Sequence, residues 1–195
     1  MDNLHVDALV VGGGIAGMQA ALDLADQDFK VALVEREPSI GGKMITLSKV
    51  FPTLDCCSCI TTPKMSAVAH HPNIKLLTYC ELKAVNETAE GFQVSMVQKP
   101  RYVDASKCTG CRKCEYECPI TVASPFDRGL GSYHAIRVPF STAVPQVAVL
   151  DMENCILCGK CEKICAVNAV DFMQQPEPFG NQQMPLSEST PVTPD

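Results

Sequence analysis

The apolar positions of this 195-residue chain change period from one stretch to the next, and each period predicts a different element. Residues 6–11, VDALVV, form a nearly continuous apolar run, as a strand buried on both faces does. IAGMQAALDLA, residues 15–25, carries its apolar residues at helical spacing and is rich in alanine, the best helix former. KVALVE, residues 30–35, is a second buried run. Strand, glycine turn, helix and strand together predict an α/β unit with parallel strands. Further on, TTPKMSAVAHH (61–71) predicts a short helix. NIKLLTYC and then LKAVNETAEGFQVSMVQ predict β structure over 73–100, a hairpin or meander turning near Glu90-Gly91. Cysteines punctuate residues 101–175. The end, PEPFGNQQMPLSESTPVTPD (176–195), is rich in Pro, Gln and Ser, cannot supply a core, and is expected to be disordered.

Composition removes several function classes. A formal net charge of −6 and the lack of any Lys/Arg run argue against a nucleic-acid partner. The start, MDNLHVDALVVGGG, has no basic region ahead of its short apolar run, so it does not read as a signal peptide. No apolar stretch is long enough to span a membrane. The expected compartment is the cytoplasm, where thiols stay reduced and the clustering of twelve cysteines points to metal rather than disulfides. No Ser/His/Asp constellation offers a nucleophile for hydrolysis.

Gly12, Gly14 and Gly17 stand in the order G-x-G-x-x-G between the first strand and the helix. In a dinucleotide fold the first glycine makes the tight turn and the second lets the backbone approach a pyrophosphate. The third lets helix and strand pack closely, while the helix N-terminus faces the phosphates. Glu35 follows about twenty residues on, at the end of the second strand, where an acid holds a ribose hydroxyl. The candidate cofactor residues are Gly12, Gly13, Gly14, Ile15, Ala16, Gly17, Glu35, Arg36, Gly42 and Lys43. REPSIGGK after the second strand resembles the opening of the two-dinucleotide-binding flavoproteins such as the thioredoxin reductases, which implies FAD rather than NAD. Asp28 stands where such chains commonly have glycine, and aspartate tolerates the left-handed turn expected there.

Cys108, Cys111, Cys114 and Cys118 spell C-x-x-C-x-x-C-x-x-x-C, and Cys155, Cys158, Cys161 and Cys165 spell it again. Three thiolates at this spacing wrap one face of a cuboidal iron–sulfur cluster, and in two-cluster ferredoxins the fourth serves the other cluster. Crossed ligation is therefore expected: Cys165 with the first three cysteines, Cys118 with the second three. Pro119 after Cys118 fits the usual pattern, while Ala166 after Cys165 departs from it. Paired zinc sites need a long spacer between two C-x-x-C pairs, which this spacing lacks. The stretch between the runs is longer than a compact ferredoxin needs, and is expected to be a surface excursion that docks a partner, covers a cluster or does neither.

A third group is harder to read. Cys56, Cys57, Cys59 and the later Cys80 are open to a further cluster, a zinc ion, a redox disulfide or simple burial. His70 and His71, at a helix end before Pro72, read as solvated side chains.

Taken in order, VVGGGIAGMQAALDLA, VALVEREPSIGGKM, FPTLDCCSCITTPKM, HPNIKLLTY, KPRYVDASKCTGC and VPFSTAVPQVAVLD resemble the A-subunits of heterodisulfide reductases, the iron–sulfur flavoproteins of methanogens and related complexes. The resemblance covers residues 6–173. It implies a partial Rossmann-like, thioredoxin-reductase-like FAD domain over 1–100 with a Cys-rich segment at 55–59. An α+β ferredoxin domain with two [4Fe–4S] clusters follows over 101–175, then a disordered tail over 176–195. It also implies that Asp55, Cys56 and Cys59 help bind a third cluster, with Cys57 an extra residue. The implied activity is that of an oxidoreductase subunit, inactive alone, passing electrons between FAD and the clusters toward disulfide reduction or ferredoxin. The implied partners are other subunits of such a complex, an electron-donating hydrogenase or dehydrogenase subunit, and ferredoxin. In this family the flavin domain resumes after the ferredoxin insert, so the chain is expected to be the front part of a subunit, from a gene fragment or a split gene. The alternative is a ferredoxin-like electron carrier whose flavin lobe is vestigial.

Overall fold

The computed structural model describes residues 4–89 and 91–185. It opens with β1 (Ala8–Val11), α1 (Ile15–Ala25) and β2 (Val31–Glu35), followed by a 3-10 turn, Gly42–Thr46. Two short strands, β3 (Lys49–Val50) and β4 (Asp55–Cys56), lead into α2 (Cys57–His70) and β5 (Ile74–Thr78). β1, β2 and β5 form a parallel sheet with β2 in the middle, pairing Ala8 with Val31 and Val31 with Ile74. Every residue of β2 is buried, which accounts for its unbroken apolar run. On α1, Met18, Ala21 and Ala25 face the sheet at three- and four-residue steps. They form one core with Val31, Leu33, Ile40, Met65 and Val68. Asp28 does take the left-handed turn between α1 and β2, at φ 66°.

The second helix starts earlier than expected. It absorbs Cys57, Ser58 and Cys59, because Cys57, Thr61, Met65 and Val68 make one buried stripe. After β5 come β6 (Cys80–Thr88) and β7 (Gly91–Gln98), an antiparallel hairpin; of the expected turn pair, Glu90 lies outside the described residues. Val34, Leu77, Cys80, Val94 and Met96 form a small core where this hairpin meets the parallel sheet.

The cysteine-rich stretch folds as α3 (Lys113–Glu117), β8 (Thr121–Ala123), β9 (Ser132–His134), β10 (Ile136–Arg137), β11 (Val149–Leu150) and α4 (Lys160–Ile164). Its own core gathers Val103, Ile136, Val138, Ala148, Leu150, Cys161 and Ala169. The long stretch between the cysteine runs is not a free surface excursion. Phe140 and Val144 pack against the core of the parallel sheet. The Ile40 N–H donates to the Val144 carbonyl at 3.1 Å, and the Val144 N–H donates to the Ser39 hydroxyl at 2.8 Å.

The expectation of a disordered tail fails over 177–185. These residues form β12 (Glu177–Pro185), antiparallel to β7, pairing Glu177 with Gln98 and Pro185 with Gly91. The free edge of β7 offers a row of N–H and C=O groups, and backbone pairing to such an edge needs no apolar side chains. Residues 186–195 of the same expectation lie outside the described residues.

Candidate functional site

Each cysteine run repeats one backbone course. Gly110 and Arg112 in the first run, and Leu157 and Gly159 in the second, all have positive φ, between 53° and 70°. Two left-handed residues per run curl the chain so that its first three thiols converge, and a five-residue helix, α3 or α4, carries the third. Arg112 and Leu157 adopt this conformation without being glycine, which costs about 1 kcal/mol or more each and marks the loop as over-determined. Arg112 is steadied by a bidentate pair with Glu115, two bonds of 2.9 Å.

The fourth cysteine of each run crosses over. Cys118 lines a concavity with Cys155, Cys158 and Cys161, closed by Ile120, Ala135, Ile136, Leu150 and Phe172. Cys165 lines the other with Cys108, Cys111 and Cys114, closed by Val103, Ala148 and Ala169. Both walls are apolar, as suits a cluster shielded from water. The stretch between the runs thus helps wall both concavities, one through Ile120, Ala135, Ile136 and Leu150 and the other through Ala148.

Burial sets the acidity of these thiols. It pushes Cys114 up to about 12 and Cys161 up to about 11, so iron must displace a proton from each. Cys111, near the surface, is lowered, chiefly by the Lys113 N–H. Backbone donors also reach the sulfurs: Leu157 N–H to Cys155 and Ala169 N–H to Cys165, each at 3.3 Å. Such bonds stabilise thiolate and favour the more negative, reduced state of a cluster.

The glycine turn is built as expected at its ends. Gly12 takes φ 103°, and its N–H donates to Val34 at 2.7 Å. A Cβ on Gly17 would sit 1.9 Å from the Gly12 carbonyl oxygen, so helix and turn touch there. Gly14 differs: a Cβ would meet no protein atom within 4 Å. Nothing in the chain requires glycine at that point, and the open space suits the close approach of a pyrophosphate. The first amides of α1 have no intrahelical acceptor and are the donors available to it. Ile15 and Ala16 supply two of these amides.

Glu35 has a structural duty that its position in the sequence did not show. Buried at 8% exposure, it accepts the Gly13 N–H at 2.7 Å and the Glu37 N–H at 2.9 Å. The acid therefore braces the turn. The Gly41 N–H closes on the Gly13 carbonyl at 2.7 Å, which brings Gly42 against Gly14. Arg36 and Lys43 stand exposed on the rim, Arg36 beside Glu37 at 3.6 Å.

Of the remaining cysteines, Cys57 and Cys80 are core residues, at 0% and 2% exposure. Cys57 occupies the first place in the buried stripe of α2, a spacing legible in the sequence once the helix is begun there. Cys56 and Cys59 are exposed neighbours at the start of α2, and each thiol acts on the other, lowering Cys56 and raising Cys59. His70 is exposed, and His71 bonds Asp26 at 3.2 Å. None of the twelve cysteines is disulfide-bonded.

A family model described as an FAD binding domain matches residues 7–49, and one described as a 4Fe-4S dicluster domain matches residues 107–170. The iron-sulfur A-subunit of the CoB–CoM heterodisulfide reductase of Methanocaldococcus jannaschii is 56% identical over 169 residues, covering 87% of this chain and 26% of that protein. The A-subunit of the H2:CoB-CoM heterodisulfide, ferredoxin reductase of Methanothermobacter marburgensis is 50% identical over 170 residues, with the same coverage of 87% and 26%. The chain thus spans about a quarter of the length of these relatives. A thioredoxin reductase structure from T. acidophilum overlaps 47% of this chain and 31% of its own, at 24% identity and TM-score 0.42.

Proposed function

The chain is homologous over 87% of its length to the A-subunits of heterodisulfide reductases, and we propose that it is an electron-transferring iron–sulfur flavoprotein segment of such a complex. FAD exchanges electron pairs with its substrate side and single electrons with [4Fe–4S] clusters, which is the chemistry these cofactors supply when bound. The observation that carries the reading is the crossing of Cys118 and Cys165 between the two concavities. It makes two four-thiolate sites share one apolar core, the arrangement of a two-centre relay. Gly12, Gly13, Gly14, Ile15, Ala16 and Gly17 hold the pyrophosphate and Glu35 the ribose, with Arg36, Gly42 and Lys43 at the rim. Cys56 and Cys59, exposed and close in sequence at the start of α2, are open to a further cluster.

Electrons pass on toward disulfide reduction or ferredoxin, and the partners are the other subunits of a heterodisulfide-reductase-type complex together with a hydrogenase or dehydrogenase donor. Thiols that must stay reduced place the work in the cytoplasm. Among the described residues no helix is long and apolar enough to cross a membrane.

Anaerobic reconstitution tests the reading. About eight iron atoms with matching labile sulfide are expected from two [4Fe–4S] centres, with flavin bands beside the broad iron–sulfur absorption once FAD is added. Zinc without labile sulfide would defeat it. Iron–sulfur absorption with no flavin uptake would leave a ferredoxin-like carrier.

A further inference from the structure

The stretch between the cysteine runs touches both candidate sites within a few residues. Ala143 belongs to the core of the cysteine lobe, while its neighbour Val144 packs against the core of the parallel sheet. Ser39, 6% exposed, meets Val144 across 105 positions of sequence. Its hydroxyl accepts the Val144 N–H at 2.8 Å. The same hydroxyl lies 3.1 Å from the Ile40 and Val144 carbonyls and donates to one of them. The Ile40 N–H donates to the Val144 carbonyl at 3.1 Å. Together these bonds clasp residues 39 and 40 to residue 144.

Each side of the clasp ends on a site. Ile40 is wholly buried, and a Cβ on Gly13 would sit 2.5 Å from its Cγ2 methyl. The Gly41 N–H, next along, donates to the Gly13 carbonyl at 2.7 Å. Residues 39–41 therefore rest directly on the phosphate turn. On the other side, a Cβ on Gly110 would sit 2.5 Å from the Gln146 carbonyl oxygen. Gly110 stands between Cys108 and Cys111 and lines their concavity, as does Ala148. In the second run Leu157 takes the place of Gly110 and is 61% exposed, so that loop carries no such cover.

We propose that Ser39 is a positioning residue through which the first cysteine site holds the phosphate turn, so that a cluster on Cys108, Cys111, Cys114 and Cys165 tightens the binding of FAD. The proposal rests on the reading of those cysteines as cluster ligands and of the glycine turn as the FAD site. Four thiolates on one group fix the loop that carries them, and the free energy of metal binding becomes free energy of folding. Close-packed contacts transmit that restraint. Gly110 holds Gln146, the clasp holds Ser39 and Ile40, and Ile40 with Gly41 holds Gly13. A turn already ordered loses less freedom when FAD arrives, which is positive coupling between the two sites. The Ser39 hydroxyl supplies the side-chain bonds of the clasp, so removing one oxygen loosens the link.

The test compares FAD affinity of the full chain before and after anaerobic cluster reconstitution, in the wild type, S39A and C114S. Loading should tighten FAD about fivefold or more in the wild type. In S39A the loaded chain binds FAD more weakly than loaded wild type, and loaded and unloaded affinities agree within about twofold. A Ser39 that acts only as a strut weakens both states alike, and an unchanged ratio in S39A overturns the proposal. C114S, which loses the first cluster, should bind FAD as the cluster-free chain does. Wild-type tightening in C114S assigns the effect to the second cluster and overturns the proposal. Equal affinities of loaded and unloaded wild type overturn it while leaving both site assignments intact. Failure of the wild type to take up iron and sulfide, or FAD in either state, defeats the corresponding site reading first, and the proposal with it. Should S39A not fold, amide hydrogen exchange of the wild type decides. Ile40, Gly41 and Val144 should exchange about fivefold or more slowly once the clusters are loaded, and unchanged exchange there overturns the proposal.

Discussion

The two lobes place their candidate sites by different means. Between residues 108 and 165 the cysteine lobe brings all eight repeat thiols to two concavities around one core. The dinucleotide lobe offers a phosphate turn, a bracing acid and a rim, on a sheet of three strands whose β1 has a neighbour on one side only among the described residues. Val11, at the end of β1, is 62% exposed. The difference follows from range. A C-x-x-C-x-x-C loop is made by its own backbone and needs one long-range partner, the crossed cysteine. A dinucleotide site lies at the carboxyl edge of a sheet and draws on several strand ends, far apart in sequence.

The sharpest way to break this comparison is at the crossed cysteine. Cys118→Ser should abolish the cluster built on Cys155, Cys158 and Cys161 and spare the one built on Cys108, Cys111 and Cys114. EPR of the reduced variant distinguishes them, and loss confined to the nearer run would undo the crossing.

The glycine turn separates packing from ligand approach. Gly17→Ala forces a Cβ into the Gly12 carbonyl and should destabilise the dinucleotide lobe by about 2–3 kcal/mol, read as a lower melting temperature. Gly14→Ala meets no protein atom within 4 Å, so melting should be unchanged while FAD affinity falls. Equal melting losses in the two variants would show that Gly14 is structural.

Glu35→Ala removes the acceptor of two backbone hydrogen bonds, a buried one from Gly13 and a half-buried one from Glu37. A loss of about 1–3 kcal/mol in stability is expected even without FAD, and denaturant unfolding of the flavin-free chain measures it. No loss would restrict Glu35 to ribose binding.

The smallest effect concerns the hairpin. Lys99 and Lys83 hold Glu81 down to about 2 from its ordinary 4.5. A depressed carboxylate stabilises the fold above its unfolded value, and that contribution is lost as pH falls from about 4.5 toward 2. The pairs are exposed, so Glu81→Gln should flatten the acid limb of a melting-versus-pH curve only slightly. An unchanged limb would show that these pairs contribute nothing.

Local chemistry by itself determined much of this protein. The buried strand β2, the alanine-rich helix, the glycine turn and both thiol loops follow from side-chain period and from spacings of two and three residues, which act within one or two turns of chain, whereas β1, read as buried on both faces, is an edge strand only partly buried. The direction of Cys118 and Cys165 was legible too, because a fourth cysteine one helix turn beyond the third leaves its own loop. Tertiary structure alone decided the rest. Cys57 and Cys80 share a residue type with the repeat cysteines, and only the α2 stripe and the hairpin core show them to be packing. Polar residues 177–185 carry no strand pattern, yet the free edge of β7 pairs with them. Nothing in its local sequence marks Arg101 for burial, which depends on Pro38, Thr78 and Tyr79 converging on it from other segments. The burial of a lone cation or cysteine is set by what packs around it, and no local period encodes that.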